Sequence, residues 1–256
     1  MTSRSPLHAC AAALAATAIV TGCQVSQPCS PAGACAPRTP ITSASDPGGA
    51  AAGSALSLVA TLRVQGRGPK TGYAREQYGP AWADTDRNGC DTRNDVLARD
   101  LQDETFRAGT ADCVVLSGVL TEPYTGRRVT FSKQRAGDLQ IDHVVALSDS
   151  WQKGAAQWQP GERLAFANDP LNLLAVDGST NMAKGDRDAA SWLPPDRTYR
   201  CAYVARQVAV KHRYGVGVTA AERDAMLRVL GSCPGEPVPA GDNPVVTPAA
   251  RNAPSR

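Results

Sequence analysis

The sequence predicts an α+β domain, mainly helical, with a small β-hairpin. Three observations predict it. A β-branched apolar run, Cys113 to Leu120 (CVVLSGVL), is followed by the turn residues Glu122-Pro123-Tyr124-Thr125-Gly126 and a second apolar run, Arg127 to Phe131. Apolar residues recur at helical spacing through Cys201, Val204, Ala205 and Val208, and again through Met226, Leu227 and Leu230. Residues 24–57 and 235–256 are rich in Pro and Ala, so the core belongs to the stretch between them.

The N-terminal segment reads as an export signal. Arg4 and His8 precede an apolar run from Ala9 to Val20, too short to span a bilayer comfortably. Val20-Thr21-Gly22-Cys23 is similar to a lipobox, which implies removal of residues 1–22 and a lipid on Cys23. An ordinary signal peptide with a chance cysteine is the alternative. Residues 23–57 are rich in Pro, Ala, Gly and Ser and read as a disordered tether. Residues 58–234 form the expected domain, and 235–256 a disordered tail. An exported protein, either a cell-surface lipoprotein or fully secreted, is the expectation.

Within the domain, Asp91 or Thr92 can cap a helix from about Arg93 to Glu104. The hairpin follows. A short extended segment then enters Ile141-Asp142-His143. Helices are expected over Val145–Trp158 and Glu162–Ala167, and a strand over Leu171–Val176. Ser179 or Thr180 can cap a helix that reaches Ser191, before Pro194-Pro195 stops it. Gly215 and Gly217 separate the last two helices, and Thr219-Ala220-Ala221-Glu222 is a capping box.

Cysteine usage fits an oxidising compartment. Of 8 cysteines, Cys10 leaves with the signal and Cys23 is the lipidation candidate, so six remain. The two last helices, antiparallel and of similar length, bring Cys201 to Cys233. Elimination pairs Cys90 with Cys113, and Cys29 can pair with Cys35 in the tether. Spacing alone leaves the connectivity open. No C-x-x-C or H-x-x-x-H occurs, which argues against structural zinc.

Net charge is only +3 and aromatic content 5%, so neither a strongly basic surface nor a stacking platform for single strands is evident. Chemistry must be sought in single residues. After loss of the signal, only His143 and His212 remain. His212 falls on the apolar stripe of its helix near the C-terminal end, where packing and the helix dipole account for it. His143 follows an acid, Asp142, at the end of an apolar segment. Downstream come Asn172 in NDPLNLL and Asn181 in NMAKGD.

The order D-H, then N-L in a short strand, then N-x-x-K-G at a helix start resembles the HNH endonuclease family. The match is closest to the branch related to the C-terminal domain of GmrSD restriction endonucleases. IDHVVALSDSWQKGAAQW, FANDPLNLLAVDGSTNMAKGD and AASWLPP carry it, and YAREQYGPAWADTDRNGCDTRNDVLARDL upstream looks like the same branch. The resemblance covers about Tyr73 to Cys233. It implies a ββα-metal unit within the domain. His143 matches the general base, and Asn172 the position that orients it. Asp142 and Asn181 match the ligands of one divalent ion. Their oxygens suit Mg²⁺ or Mn²⁺ better than Zn²⁺.

Lys184, one turn after Asn181, and Arg93 are candidate phosphate contacts. A surface charge and a helix salt bridge are their bland readings. The implied activity is metal-dependent hydrolysis of nucleic-acid phosphodiesters, with DNA favoured and low sequence specificity. A lipid-anchored binding module on a silent ββα scaffold is the competing reading.

Overall fold

The computed structural model describes residues 53–240. The expected signal segment, Cys23, Cys29, Cys35, most of the expected tether and the residues beyond 240 lie outside the described residues.

The fold is α+β. Seven helices are described: α1 Ala55–Val59, α2 Thr92–Asp100, α3 Leu147–Gln152, α4 Pro160–Ala167, α5 Gly178–Lys184, α6 Arg200–Tyr214 and α7 Ala220–Gly231. Strands β1 Gln102–Phe106, β2 Val115–Thr121 and β3 Arg128–Ser132 form an antiparallel sheet in that order. Strands β4 Leu139–His143 and β5 Leu173–Asp177 form a separate antiparallel ribbon. Helix α5 follows β5 without a gap, so the ribbon and α5 make a ββα unit.

The ribbon lies between two apolar clusters because strand alternation gives it two apolar faces. Leu139, Ile141, Leu173 and Ala175 pack with Val96 and Leu97 of α2 and with Val115, Leu120 and Phe131 of the three-stranded sheet. Leu174 and Val176 pack with Tyr203, Val204 and Val208 of α6 and Met226 and Leu230 of α7. A third cluster joins Tyr78, Leu147, Trp151 and Phe166 to Ala209 and Val210.

Several elements differ from the sequence reading, each for a local reason. The folded unit begins before residue 58: Ser54 caps α1, Ala55 is fully buried, and the Ala55 amide donates to the Glu236 carbonyl. The expected helix to Glu104 ends at Asp100, since Leu101 turns extended and Gln102–Phe106 pairs with β2. The hairpin is therefore the inner part of a three-stranded sheet. Helix α3 stops at Gln152, and a separate helical turn at Ala155–Gln157 follows Gly154, whose φ is +139°.

Helix α5 is capped by Asp177 rather than Ser179 or Thr180, and it ends at Gly185 with φ +56° rather than at Ser191. A side chain at Gly178 is excluded, because a Cβ there would lie 2.5 Å from the Gly137 carbonyl oxygen. His212 is exposed in the last turn of α6, not on its packed face.

Cys90 pairs with Cys113, and Cys201 with Cys233. The second bridge joins the start of α6 to the residues after α7. Thr219 accepts from the Glu222 amide, as a capping residue should. The Glu222 carboxylate, however, enters a buried charge network. Lys153 Nζ lies 2.6 Å from Glu222, 2.8 Å from Asp149 and 2.9 Å from Asp188. Lys211 lies 3.0 Å from Glu222, and Arg67 lies 2.8 Å from both Asp149 and Asp188. Three cations thus match three carboxylates. Burial opposes the charge on Asp188, but Lys153 and then Arg67 hold its carboxyl down to about 2. This network fixes the chain just after α5 against α3, α6 and α7.

Candidate active site

Two strand positions and one helix build the centre of the site. His143 is the last residue of β4, opposite Leu173, and Asp142 is opposite Leu174. Alternation sends their side chains to opposite faces of the ribbon. On the face shared by Gln140 and Asp142, helix α5 presents Asn181 and Lys184, three residues apart. Asn181 Nδ2 donates to Gln140 Oε1 at 2.8 Å, and Lys184 Nζ donates to Asp142 Oδ1 at 2.9 Å. An i, i+3 pair on a helix thus meets an i, i+2 pair on a strand.

Lys184 is not available to a phosphate in this arrangement. It is fully buried, and its ammonium also donates to the His143 carbonyl at 2.9 Å. The reason is the cost of a buried carboxylate: Asp142 is only 5% exposed and requires a countercharge. Its other oxygen, Oδ2, accepts from the Tyr124 hydroxyl at 2.6 Å. Burial raises the Asp142 pKa, and the charge of Lys184, then the hydrogen bonds from Tyr124 and Lys184, act against that rise.

His143 Nε2 lies 2.9 Å from the Ala167 carbonyl oxygen. A carbonyl only accepts, so Nε2 carries the proton in the neutral ring and Nδ1 keeps a free lone pair. The indole of Trp82 stacks on the imidazole, with centroids 6.2 Å apart and planes 14° from parallel. Burial pushes the His143 pKa down to about 3, the Ala167 hydrogen bond opposes this, and the charges of Arg75 and Lys184 add to it. The ring is therefore neutral at neutral pH, well below the usual imidazole value near 6.5.

The depressed pKa has a stability consequence. Between about pH 6.5 and pH 3 the unfolded chain binds a proton at this residue that the folded chain does not. Stability is therefore complete above the unfolded value and falls with pH through that window, by on the order of 1–2 kcal/mol at about pH 5. Urea midpoints at pH 7 and pH 5 should differ more for the wild type than for His143→Asn. Equal differences in the two proteins would show that the imidazole is not shifted.

Asn172 is fully buried and does not bond to the imidazole. Its Oδ1 accepts from the Val145 amide at 2.9 Å, and its Nδ2 reaches the carbonyls of Val145 and Phe166 at 3.3 and 3.4 Å. The Val144 amide donates to the Asn172 carbonyl at 2.8 Å. The amide thus ties the segment leaving His143 to the chain beside Ala167, the residue that bonds the ring.

A cleft of about 430 Å³ collects these groups. Arg75, Arg93, Asp142, His143, Asn181 and Asp186 are among its lining residues. Arg93 is half-buried, with NH2 3.4 Å from the carbonyls of Ala136 and Leu139. Burial lowers its pKa, against the charge of Asp91. Arg75 is exposed and has no carboxylate partner among the described residues. Two guanidinium groups thus face one cleft.

Sequence reasoning named four of these six residues; it missed Asp186, and it missed Arg75 and Trp82. Both lie in the upstream stretch YAREQYGPAW. Their placement depends on Tyr78, whose buried hydroxyl donates to the Leu147 carbonyl at 2.8 Å and anchors that stretch to α3.

The donors suit a hard cation. Each Asp142 oxygen accepts one hydrogen bond and retains a second lone-pair direction, and Asn181 Oδ1 takes no hydrogen bond among the described residues. No group of three or more His, Cys, Asp or Glu side chains is arranged for a metal among the described residues. An ion here would have few protein ligands and keep much of its water, the habit of Mg²⁺ rather than Zn²⁺.

The β4–β5 ribbon, α5 and the cleft form the centre of an α+β domain. The profile of the C-terminal domain of GmrSD restriction endonucleases matches residues 91–229. An "Uncharacterized secreted protein" of Arthroderma benhamiae is 39% identical over 197 residues, covering 76% of this chain and 92% of that one. No solved structure matches. The chain belongs to the GmrSD C-terminal domain family.

Proposed function

We propose that this protein is an exported, metal-dependent endonuclease of the HNH type that hydrolyses phosphodiester bonds, in DNA with low sequence specificity. The observation that carries the reading is the fixed tautomer of His143. Its Nε2–H is spent on Ala167, and Nδ1 is left as a base beside a cleft lined by two guanidinium groups, of which Arg75 has no carboxylate partner among the described residues. Neutral Nδ1 takes a proton from a water that attacks phosphorus. A phosphate anion entering the cleft raises the imidazole pKa toward a useful value, because opposite charge favours the cation.

Asp142 and Asn181 would hold one Mg²⁺ or Mn²⁺, which supplies charge stabilisation for the phosphate and the leaving oxygen. Asn172 acts as a positioning residue. Arg93 contacts phosphate, while Lys184 supports Asp142 instead. The secreted relative supports export, and a lipid on Cys23 would keep the protein at the cell surface.

A metal titration of cleavage tests the ligand assignment. Asn181→Ala should require at least about tenfold more Mn²⁺ for half-maximal rate, as loss of a ligand should. An unchanged requirement would remove Asn181 from the metal site. The binding-module reading draws on one observation, the occupation of both Asp142 oxygens by Lys184 and Tyr124. Binding of nucleic acid without cleavage under any divalent ion would favour it.

A further inference from the structure

A second cleft, of about 250 Å³, shares His143, Arg75, Trp82 and Leu147 with the polar one and adds Ala167 and Asn168. Asn168 is 2% exposed. Its Nδ2 donates to the Leu164 carbonyl at 3.0 Å, but its Oδ1 is buried without a hydrogen-bond partner. A buried acceptor left without a donor is uncommon and costly. Trp82 presents an aromatic wall beside the proposed base, and its backbone sits at φ +58°, a region that favours glycine. Strain of this kind persists only where the surroundings hold it. Arg75 lines both clefts and has no carboxylate partner among the described residues.

We propose that this second cleft is a subsite for the base of one unpaired nucleotide next to the scissile phosphate, so that the preferred substrate is single-stranded. The inference rests on the nuclease reading for the word scissile, but its binding content stands apart from it. Trp82 supplies the stacking face, which every base can use. Asn168 Oδ1 accepts an N–H from the Watson–Crick edge of the base. Each base has such a donor, and in a duplex that edge is already paired. The acceptor therefore distinguishes unpaired from paired more than one base from another. Arg75, between the clefts, holds the intervening phosphate.

The low aromatic content gave no sign of a stacking platform for single strands, but this site needs only one ring.

The test is fluorescence anisotropy with a short fluorescein-labelled oligonucleotide, alone or annealed to its complement, in chelator so that nothing is cut. The wild type should bind the unpaired strand about tenfold more tightly than the duplex. Trp82→Ala should lose about that factor for the unpaired strand alone, and Trp82→Phe should keep most of it. Asn168→Leu should weaken the unpaired strand severalfold. Equal affinity of the wild type for strand and duplex would overturn the proposal. So would unchanged single-strand affinity in Trp82→Ala and Asn168→Leu, or in Trp82→Leu and Asn168→Leu where the alanine variant fails to fold. Strands that bind with this pattern but stay intact with Mg²⁺ or Mn²⁺ would refute the nuclease reading while leaving the subsite standing.

Discussion

His143→Ala should lower the rate of phosphodiester cleavage by about 10²–10⁴-fold, the usual contribution of a positioned acid–base group. The loss should appear in the turnover rate, with the fold retained. The ring is held by one hydrogen bond to Ala167 and by stacking on Trp82, and both of those segments have other anchors, through Asn172 to Phe166 and Tyr78 to Leu147. The disulfides, the three apolar clusters and the charge network around Glu222 are untouched by the change. His143→Asn is the sharper variant. It retains an N–H donor but has no basic nitrogen, so it should be as inactive as alanine. Cleavage of a labelled substrate, followed with circular dichroism of each variant, reads both. Wild-type rates in either variant would assign the proton transfer elsewhere.

Lys184→Met should cost about 3–5 kcal/mol of folding stability, because it strands a buried carboxylate. Lys184 is fully buried, and its ammonium serves both the side chain of Asp142 and the main chain of His143. Without it Asp142 keeps only the Tyr124 hydroxyl. Its pKa is already raised by burial, so the loss of the cation drives it further toward the neutral form. Cleavage should fall with it, since a protonated Asp142 is a poor ligand. Urea denaturation measures the stability term. The double variant Lys184→Met with Asp142→Leu should recover a large part of the loss, because both charges then leave together. If the single variant were as stable as the wild type, the pair would not be the buried anchor described above.

How far the sequence was legible depended on the range of the interaction that fixes each residue. The D-H and N-x-x-K positions sit on one ribbon and its following helix, and Asn172 on the helical turn that leads into β5, so their order in the chain reflects their order in space. The α6–α7 pair and its disulfide were legible because both depend on local period and loop length. Lys184 was not. Its spacing from Asn181 says that the two share a helical sector, but only tertiary packing says that the sector covers Asp142.

Glu222 shows the same limit, since a capping box looks identical whether its carboxylate faces water or Lys153 and Lys211. Strand β1 was hidden for a different reason. Gln102–Phe106 is a polar edge strand with no buried residue, and a positive φ at Asp103 breaks its alternation. Arg75 and Trp82 reach His143 from some sixty residues upstream, a contact that no local pattern encodes.

The most direct test of the account is supercoiled plasmid incubated with the purified protein and Mg²⁺ or Mn²⁺. The account predicts conversion to nicked and then linear DNA, arrest on addition of chelator, and recovery when excess ion is restored. Plasmid and single-stranded DNA that both stay intact with every divalent ion, or cleavage that continues undiminished in chelator, would contradict it.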